Sequence, residues 1–474
     1  MFTRWRSGIL NIVLLLTCVI FGGRSEQQVQ TGTAAGIDTN KTHLRNSDYD
    51  FEYAPDWSPI NRTLGSVSAV AFDSYGNIVI FHRGSHVWDA LSFDPQNRYL
   101  PVSSGPIAES TLLIVSNQTG SLVSEWGANY FYMPHGLTID RNNSYWLTDV
   151  AMHQVFKFDP AISTTEPLLT IGRRFQPGSD IHSFCKPTSV AVLSNGDFFV
   201  ADGYCNGRIM KFSSDGNLIL SWGKNSFVVT RTFMLPAGPV PENFFAIPHA
   251  LTYATDKDIL CVADREQGRV QCFNAQDGTF HSMYSHPQIG SRIFSVKYAP
   301  LNGGVFYIIN GPQYTSDKQP VSGFILSMTT NQIAGRFFPT NAQRAFSNPH
   351  DLAVSFDGSQ MYVAELSPAK VHKFKRKTLV QPEPQPTERS QSLRSETLPV
   401  SIDPVLSTES PYASTLMIVS IVGSLLTTSC LIFCVWRTIC PSSHASGRRQ
   451  RFSTPVENIS LRNLNRSEEL EGSA

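Results

Sequence analysis

Charge is what this sequence has least of. Charged residues are 16% of the 474, and 38 Lys and Arg stand against 38 Asp and Glu. With no basic excess, nothing in the composition points to a nucleic-acid partner. Long apolar runs are equally sparse, and the two that stand out lie near the ends. At the first, Arg4 and Arg6 precede an apolar stretch from Ile9 to Phe21, then Gly22-Gly23-Arg24-Ser25. That order reads as a secretory signal over residues 1–25, and the stretch is short for a bilayer span. The second, Thr415 to Trp436, is 22 residues without a charge, which suffices to span a membrane. Arg437, Arg448, Arg449 and Arg451 follow it and predict a cytoplasmic tail over residues 437–474. The expectation is a type I, membrane-anchored protein of the secretory pathway, on a secretory-granule membrane or at the cell surface, with its large domain outside the cytosol.

Cysteine is scarce too. Of eight, Cys18 leaves with the signal, and Cys430, Cys434 and Cys440 lie in or beside the apolar run at 415–436. Cys185, Cys205, Cys261 and Cys272 remain, an even set in an oxidising compartment. Four cysteines allow three pairings; nearest neighbours, Cys185–Cys205 and Cys261–Cys272, are the simplest expectation. Asn40, Asn61, Asn117 and Asn142 each open an Asn-x-Ser/Thr glycosylation acceptor. Residues 26–54 are polar and aperiodic, which predicts a flexible segment. Residues 378–412, rich in Pro, Ser, Thr and Glu, read as a stalk. The folded domain is therefore placed at 55–377.

Within it the informative feature is a tripeptide in one frame: Pro134-His135-Gly136, Pro248-His249-Ala250 and Pro349-His350-Asp351. Each opens an apolar run, a polar turn and a strand that ends in an acid. Three further stretches fit the pattern without histidine, so the equivalent position holds Ser68, His135, Thr188, His249, Phe294 and His350. Repeats of roughly 40–60 residues, each with several short strands and Gly/Asn/Asp turns, predict an all-β, six-bladed propeller. Alternate blades would then aim three imidazoles at the axis. Three neutral histidines on one point are the ligand set of a catalytic zinc with an open fourth position. One such Pro-His would be loop filler; three in register are not.

The segments Val79-Ile80-Phe81-His82-Arg83-Gly84-Ser85-His86-Val87-Trp88-Asp89, Asp202-Gly203-Tyr204-Cys205-Asn206-Gly207-Arg208 and Cys261-Val262-Ala263-Asp264-Arg265-Glu266 resemble peptidyl-α-hydroxyglycine α-amidating lyase. The resemblance runs from about residue 55 to 377. It implies a lyase that converts α-hydroxyglycine-extended peptides to a peptide amide and glyoxylate, the second step of neuropeptide amidation. The preceding step would come from a copper monooxygenase on a separate chain. It further implies zinc held by His135, His249 and His350, Tyr204 as the base, and Arg83 and Arg265 as partners of carboxylate and developing charge. A structural calcium would be held by the main-chain oxygens of Val70 and Leu137 and by Asp351.

One position departs from the family pattern. Asn348 stands before Pro-His in the last repeat, where the family often has methionine. The remaining histidines, His82, His86, His153 and His372 among them, are off the frame and expected to be structural or exposed. Two other functions fit the fold class. One is a propeller lactonase or esterase, which would draw on carboxylate and Asn ligands rather than three histidines. The other is a non-catalytic, membrane-anchored propeller receptor. Glyoxylate release separates the lyase from both.

Overall fold

The computed structural model describes residues 49–57, 63–226, 240–313, 319–339 and 345–377. They belong to one compact unit that starts at Arg45; the other unit, Met1–Leu44, lies outside the described residues. The signal segment, the stalk, the run at 415–436, the tail, Asn40 and Asn61 also lie outside them. Among the described residues no helix is long and apolar enough to cross a membrane.

Six four-stranded antiparallel sheets follow one another along the chain. Their inner strands are Val67–Phe72, Pro134–Ile139, Ser189–Val192, Pro248–Ala254, Ile293–Ala299 and Asn348–Val354, for blades 1 to 6. Each inner strand packs beside that of the next blade, and blade 6 packs against blade 1, so the sheets close a ring. Blade 6 takes its outer strand from the other end of the domain: Phe51–Tyr53 pairs with Lys370–Arg376, Phe51 opposite Arg376. The propeller thus begins ahead of residue 55, and the boundary placed there is corrected. Three residues are too few to show a period, and their partner strand lies more than 300 positions away.

The pattern of burial follows from sheets stacked on both faces. The second strands, such as Tyr145–Asp149, Phe198–Asp202 and Ile259–Asp264, are buried along their whole length. Up to the closing acid their sequences accordingly read as mostly apolar runs rather than alternating ones. Outer strands such as Leu122–Trp126 are mostly exposed. Five of the seams show a core of their own among the described residues, for example Phe81, Phe131, Phe156 and Phe158 between blades 1 and 2. Each ring of this kind contributes on the order of 1.5–3 kcal/mol when fully buried. Cys261 and Cys272 face each other across strands of blade 4 and are bonded, with Cα atoms 4.0 Å apart. Cys185 and Cys205 are bonded as well, which pins the loop carrying Tyr204 to the start of blade 3.

Candidate metal centre

In five of the six repeats the frame residue sits at a break in strand register; in blade 3 the pairing runs unbroken from Ser189 and Thr188 lies just ahead of it. The shift falls between Val67 and Ala69, Pro134 and Leu137, Pro248 and Ala250, Ile293 and Ser295, and Pro349 and Asp351. A bulge leaves its extra residue unpaired and re-aims the side chain. Proline before the bulged residue suits this, since it has no N–H to give to the ladder. Strand-ending acids then fix the approach. Asp149 accepts the N–H groups of Tyr132 and Met133 at 2.7 and 2.9 Å, and Asp264 accepts that of Ala246 at 2.7 Å. Glu365 accepts those of Ser347 and Asn348. This is the role of the acid that closes each of the three histidine repeats, and of the buried Asn348 backbone.

As a result His135, His249 and His350 converge, all buried, with ligand atoms within 4.8 Å of one another. Their ring centroids form a near-equilateral triangle of 4.9, 4.7 and 4.7 Å. Each imidazole is oriented by the next blade's frame residue. Nδ1–H of His135 donates to the Thr188 carbonyl at 2.9 Å, that of His249 to Phe294 at 2.6 Å, and that of His350 to Ser68 at 2.6 Å. Fixing the proton on Nδ1 leaves Nε2 as the lone-pair nitrogen, the arrangement found behind metal-bound imidazoles. Gly136 permits the approach in blade 2, because a Cβ there would lie 2.3 Å from the Thr188 oxygen. Burial, then the neighbouring His350, holds the pKa of His135 and of His249 well below the usual range, and guanidiniums act in the same direction. Neutral nitrogen donors result, and the set fits a borderline-soft divalent metal.

Tyr204 lies against this triad. Its hydroxyl is 3.0 Å from Nε2 of His135 and 3.4 Å from Nε2 of His249. Gly203 brings it there; a Cβ at that position would meet the Pro248 oxygen at 2.5 Å. Arg265, fully buried, donates from Nη1 to the Tyr204 hydroxyl at 3.3 Å. Arg83 is 2% exposed, donates from Nε to the Pro134 carbonyl at 3.0 Å and lies 5.1 Å from the Trp88 ring. Its Nη2 finds no partner among the described residues. A buried guanidinium with an unused donor is a receptor for an anion.

All three resemblance-derived groups therefore meet at the histidines. Sequence reasoning missed what holds them. Glu266 binds Arg265 at 2.7 Å and Arg292 at 2.7 Å, and both guanidiniums lie 5.0 Å from the Phe294 ring. Trp88 packs on Tyr204 at 5.1 Å between centroids. Three of the off-frame histidines are held by hydrogen bonds: His82 contacts the Ser110 carbonyl, His86 that of Tyr132, and His372 pairs with Glu365.

The expected calcium ligands are less simply disposed. Leu137 and Asp351 line the cavity of the histidines. Asp351 already accepts Ser295 Oγ at 2.7 Å and the Val70 N–H at 3.3 Å, and Lys297 Nζ stands 3.9 Å away. Of the glycosylation acceptors, Asn142 is exposed, while Asn117 is half-buried with its carbonyl bound by Lys373.

A model of the NHL repeat matches residues 131–158 and 184–212. The chain is 51% identical over 347 residues to Peptidyl-alpha-hydroxyglycine alpha-amidating lyase 1 of Drosophila melanogaster, covering 72% of this chain and 63% of that protein. It is 42% identical over 318 residues to Peptidyl-alpha-hydroxyglycine alpha-amidating lyase 2 of the same organism, covering 65% of this chain and 71% of that one. Against Peptidylglycine alpha-amidating monooxygenase of Rattus norvegicus it is 42% identical over 328 residues, 69% of this chain but 32% of the relative. The chain thus spans less than two thirds of the first of these and about a third of the last.

Proposed function

The chain belongs to the peptidyl-α-hydroxyglycine α-amidating lyase family, and from that premise we propose that it cleaves α-hydroxyglycine-extended peptides to the peptide amide and glyoxylate. The observation that carries this reading is the meeting of three Nδ1-protonated imidazoles with the Tyr204 hydroxyl and two buried guanidiniums.

Cleavage of a carbinolamide breaks the bond between nitrogen and the hydroxylated carbon. The hydroxyl proton leaves, its oxygen becomes the aldehyde oxygen of glyoxylate, and the nitrogen takes the bonding pair and a proton. Tyr204 is the proton carrier: its hydroxyl stands among His135, His249 and the Arg265 donor. Arg83 takes the substrate carboxylate with its free Nη2, a task for a planar fork rather than an ammonium. Arg265, locked by Glu266, holds Tyr204 in place. Trp88 roofs the tyrosine and keeps water from it. Zinc is our reading of the metal; it would be held by Nε2 of His135, His249 and His350 and supply Lewis acidity toward the substrate hydroxyl. Calcium is our reading for Asp351 with the oxygens of Val70 and Leu137: hard oxygen donors suit it, and the ammonium of Lys297 stands against it.

The setting we propose is the lumen of the secretory pathway, with the chain membrane-anchored by residues 415–436 and acting after a separate copper monooxygenase. Two formed disulfides support an oxidising compartment. The test is glyoxylate release by the purified chain from an α-hydroxyglycine peptide. Activity is expected to vanish on chelation and return with zinc. Folded, zinc-loaded protein that releases no glyoxylate would remove the lyase reading.

A further inference from the structure

The cavity lined by the three histidines also contains Lys297 and Asp351. Ser295 and Lys297 are two residues apart on the inner strand of blade 5, so their side chains leave the same face. Both meet Asp351 on the inner strand of blade 6. Ser295 Oγ donates to Oδ1 at 2.7 Å, and Lys297 Nζ lies 3.9 Å from the same oxygen. From blade 1 the Val70 N–H donates to Oδ2 at 3.3 Å. Blades 5, 6 and 1 are thereby tied through one carboxylate, and the positive charge in that tie belongs to the chain.

We propose that Lys297 competes with a divalent cation for Asp351, so that the channel carries an exchangeable cation site rather than a permanent one. The inference rests on the calcium reading of Asp351 given above. An ammonium and a hard divalent ion seek the same carboxylate oxygen, and like charges at that spacing repel. Lys297 has the means to withdraw: its side chain is 24% exposed and ends a flexible four-carbon stem. With the ammonium in place the carboxylate is neutralised and the blades stay joined without an ion. When a divalent ion takes Oδ1, the ammonium must leave for solvent. The competition makes ion binding weaker than the donor set alone would allow, while it keeps the ring stable in its absence.

The test uses the full chain in detergent with zinc supplied throughout, and calcium alone as the probe. Calorimetric titration and thermal unfolding, with and without calcium, are run on the natural protein, Lys297→Met and Lys297→Arg. Lys297→Met is expected to bind calcium at least tenfold tighter than the natural protein, to melt lower in calcium-free buffer and to recover when calcium is added. Lys297→Arg, which keeps the charge, is expected to match the natural protein. Lys297→Gln repeats the neutral case should the methionine variant fold poorly. Equal calcium affinity in all forms overturns the competition and leaves the calcium reading standing. Calcium binding to none of them overturns both.

Discussion

Blades 2, 4 and 6 share with blades 1, 3 and 5 the four strands and the frame position at which the inner strand begins, yet the two sets give the channel different things. The even blades contribute side chains, the imidazoles of His135, His249 and His350. The odd blades contribute main-chain oxygens, those of Thr188, Phe294 and Ser68, each accepting an Nδ1–H. A metal-binding ring therefore needs only three specialised blades, because the other three serve through an atom that every residue has. Side-chain identity is constrained in one set and released in the other. A hydroxymethyl, a threonine and a phenyl group fill equivalent odd positions for this reason.

The largest effect should come from removing an even-blade imidazole. His249→Ala is expected to reduce bound metal and to lower glyoxylate release by on the order of 10³ or more, since Lewis-acid stabilisation amounts to several kcal/mol. Metal content by atomic emission and single-turnover rate are the readouts. Turnover within a factor of ten of the natural protein would mean that the alternation is not a ligand set.

The same contrast explains what could be read from the sequence. The histidines were legible because a side chain carries their function, and the recurring Pro-His frame counted the blades. The carbonyls that orient them belong to Ser68, Thr188 and Phe294, but a backbone acceptor has no residue signature. Glu266 directly follows Arg265 in the chain, but its grip on both Arg265 and Arg292 depends on Arg292 arriving from blade 5. Lys297 facing Asp351 is again a contact between blades. Local pattern showed the elements; the seams between blades, where the site is held, needed the ring.

His153 sharpens the comparison, because it is the same side chain off the frame. It is fully buried, but its Nδ1 accepts the Lys186 N–H at 3.0 Å instead of donating to a carbonyl. Burial, reinforced by the Lys186 ammonium, pushes its pKa from 6.5 down to about 3. The unfolded chain then binds more protons between those values, so the stability contribution is full above pH 6.5 and falls as pH drops toward 3. Between pH 7 and 5 the loss should be about 2 kcal/mol. Denaturant unfolding at the two pH values measures it, and His153→Gln should flatten the dependence without changing metal content. An unchanged pH slope in that variant would show that His153 is not the group responsible.

The smallest effect is expected at an odd blade, and it is the sharpest check on the division of labour. Ser68 uses its hydroxyl to reach the Phe81 carbonyl at 3.2 Å and its own carbonyl to orient His350. Ser68→Ala deletes the first and keeps the second. One buried hydrogen bond is lost, so stability should fall by about 1 kcal/mol, while metal affinity and turnover stay within about twofold. Calorimetric zinc titration beside thermal unfolding separates the two. If zinc affinity fell together with stability, the hydroxyl would be part of the metal site and the odd blades would be doing more than lending an oxygen. If only stability moves, the position is free to vary because the bulge, rather than the residue in it, delivers the acceptor to His350.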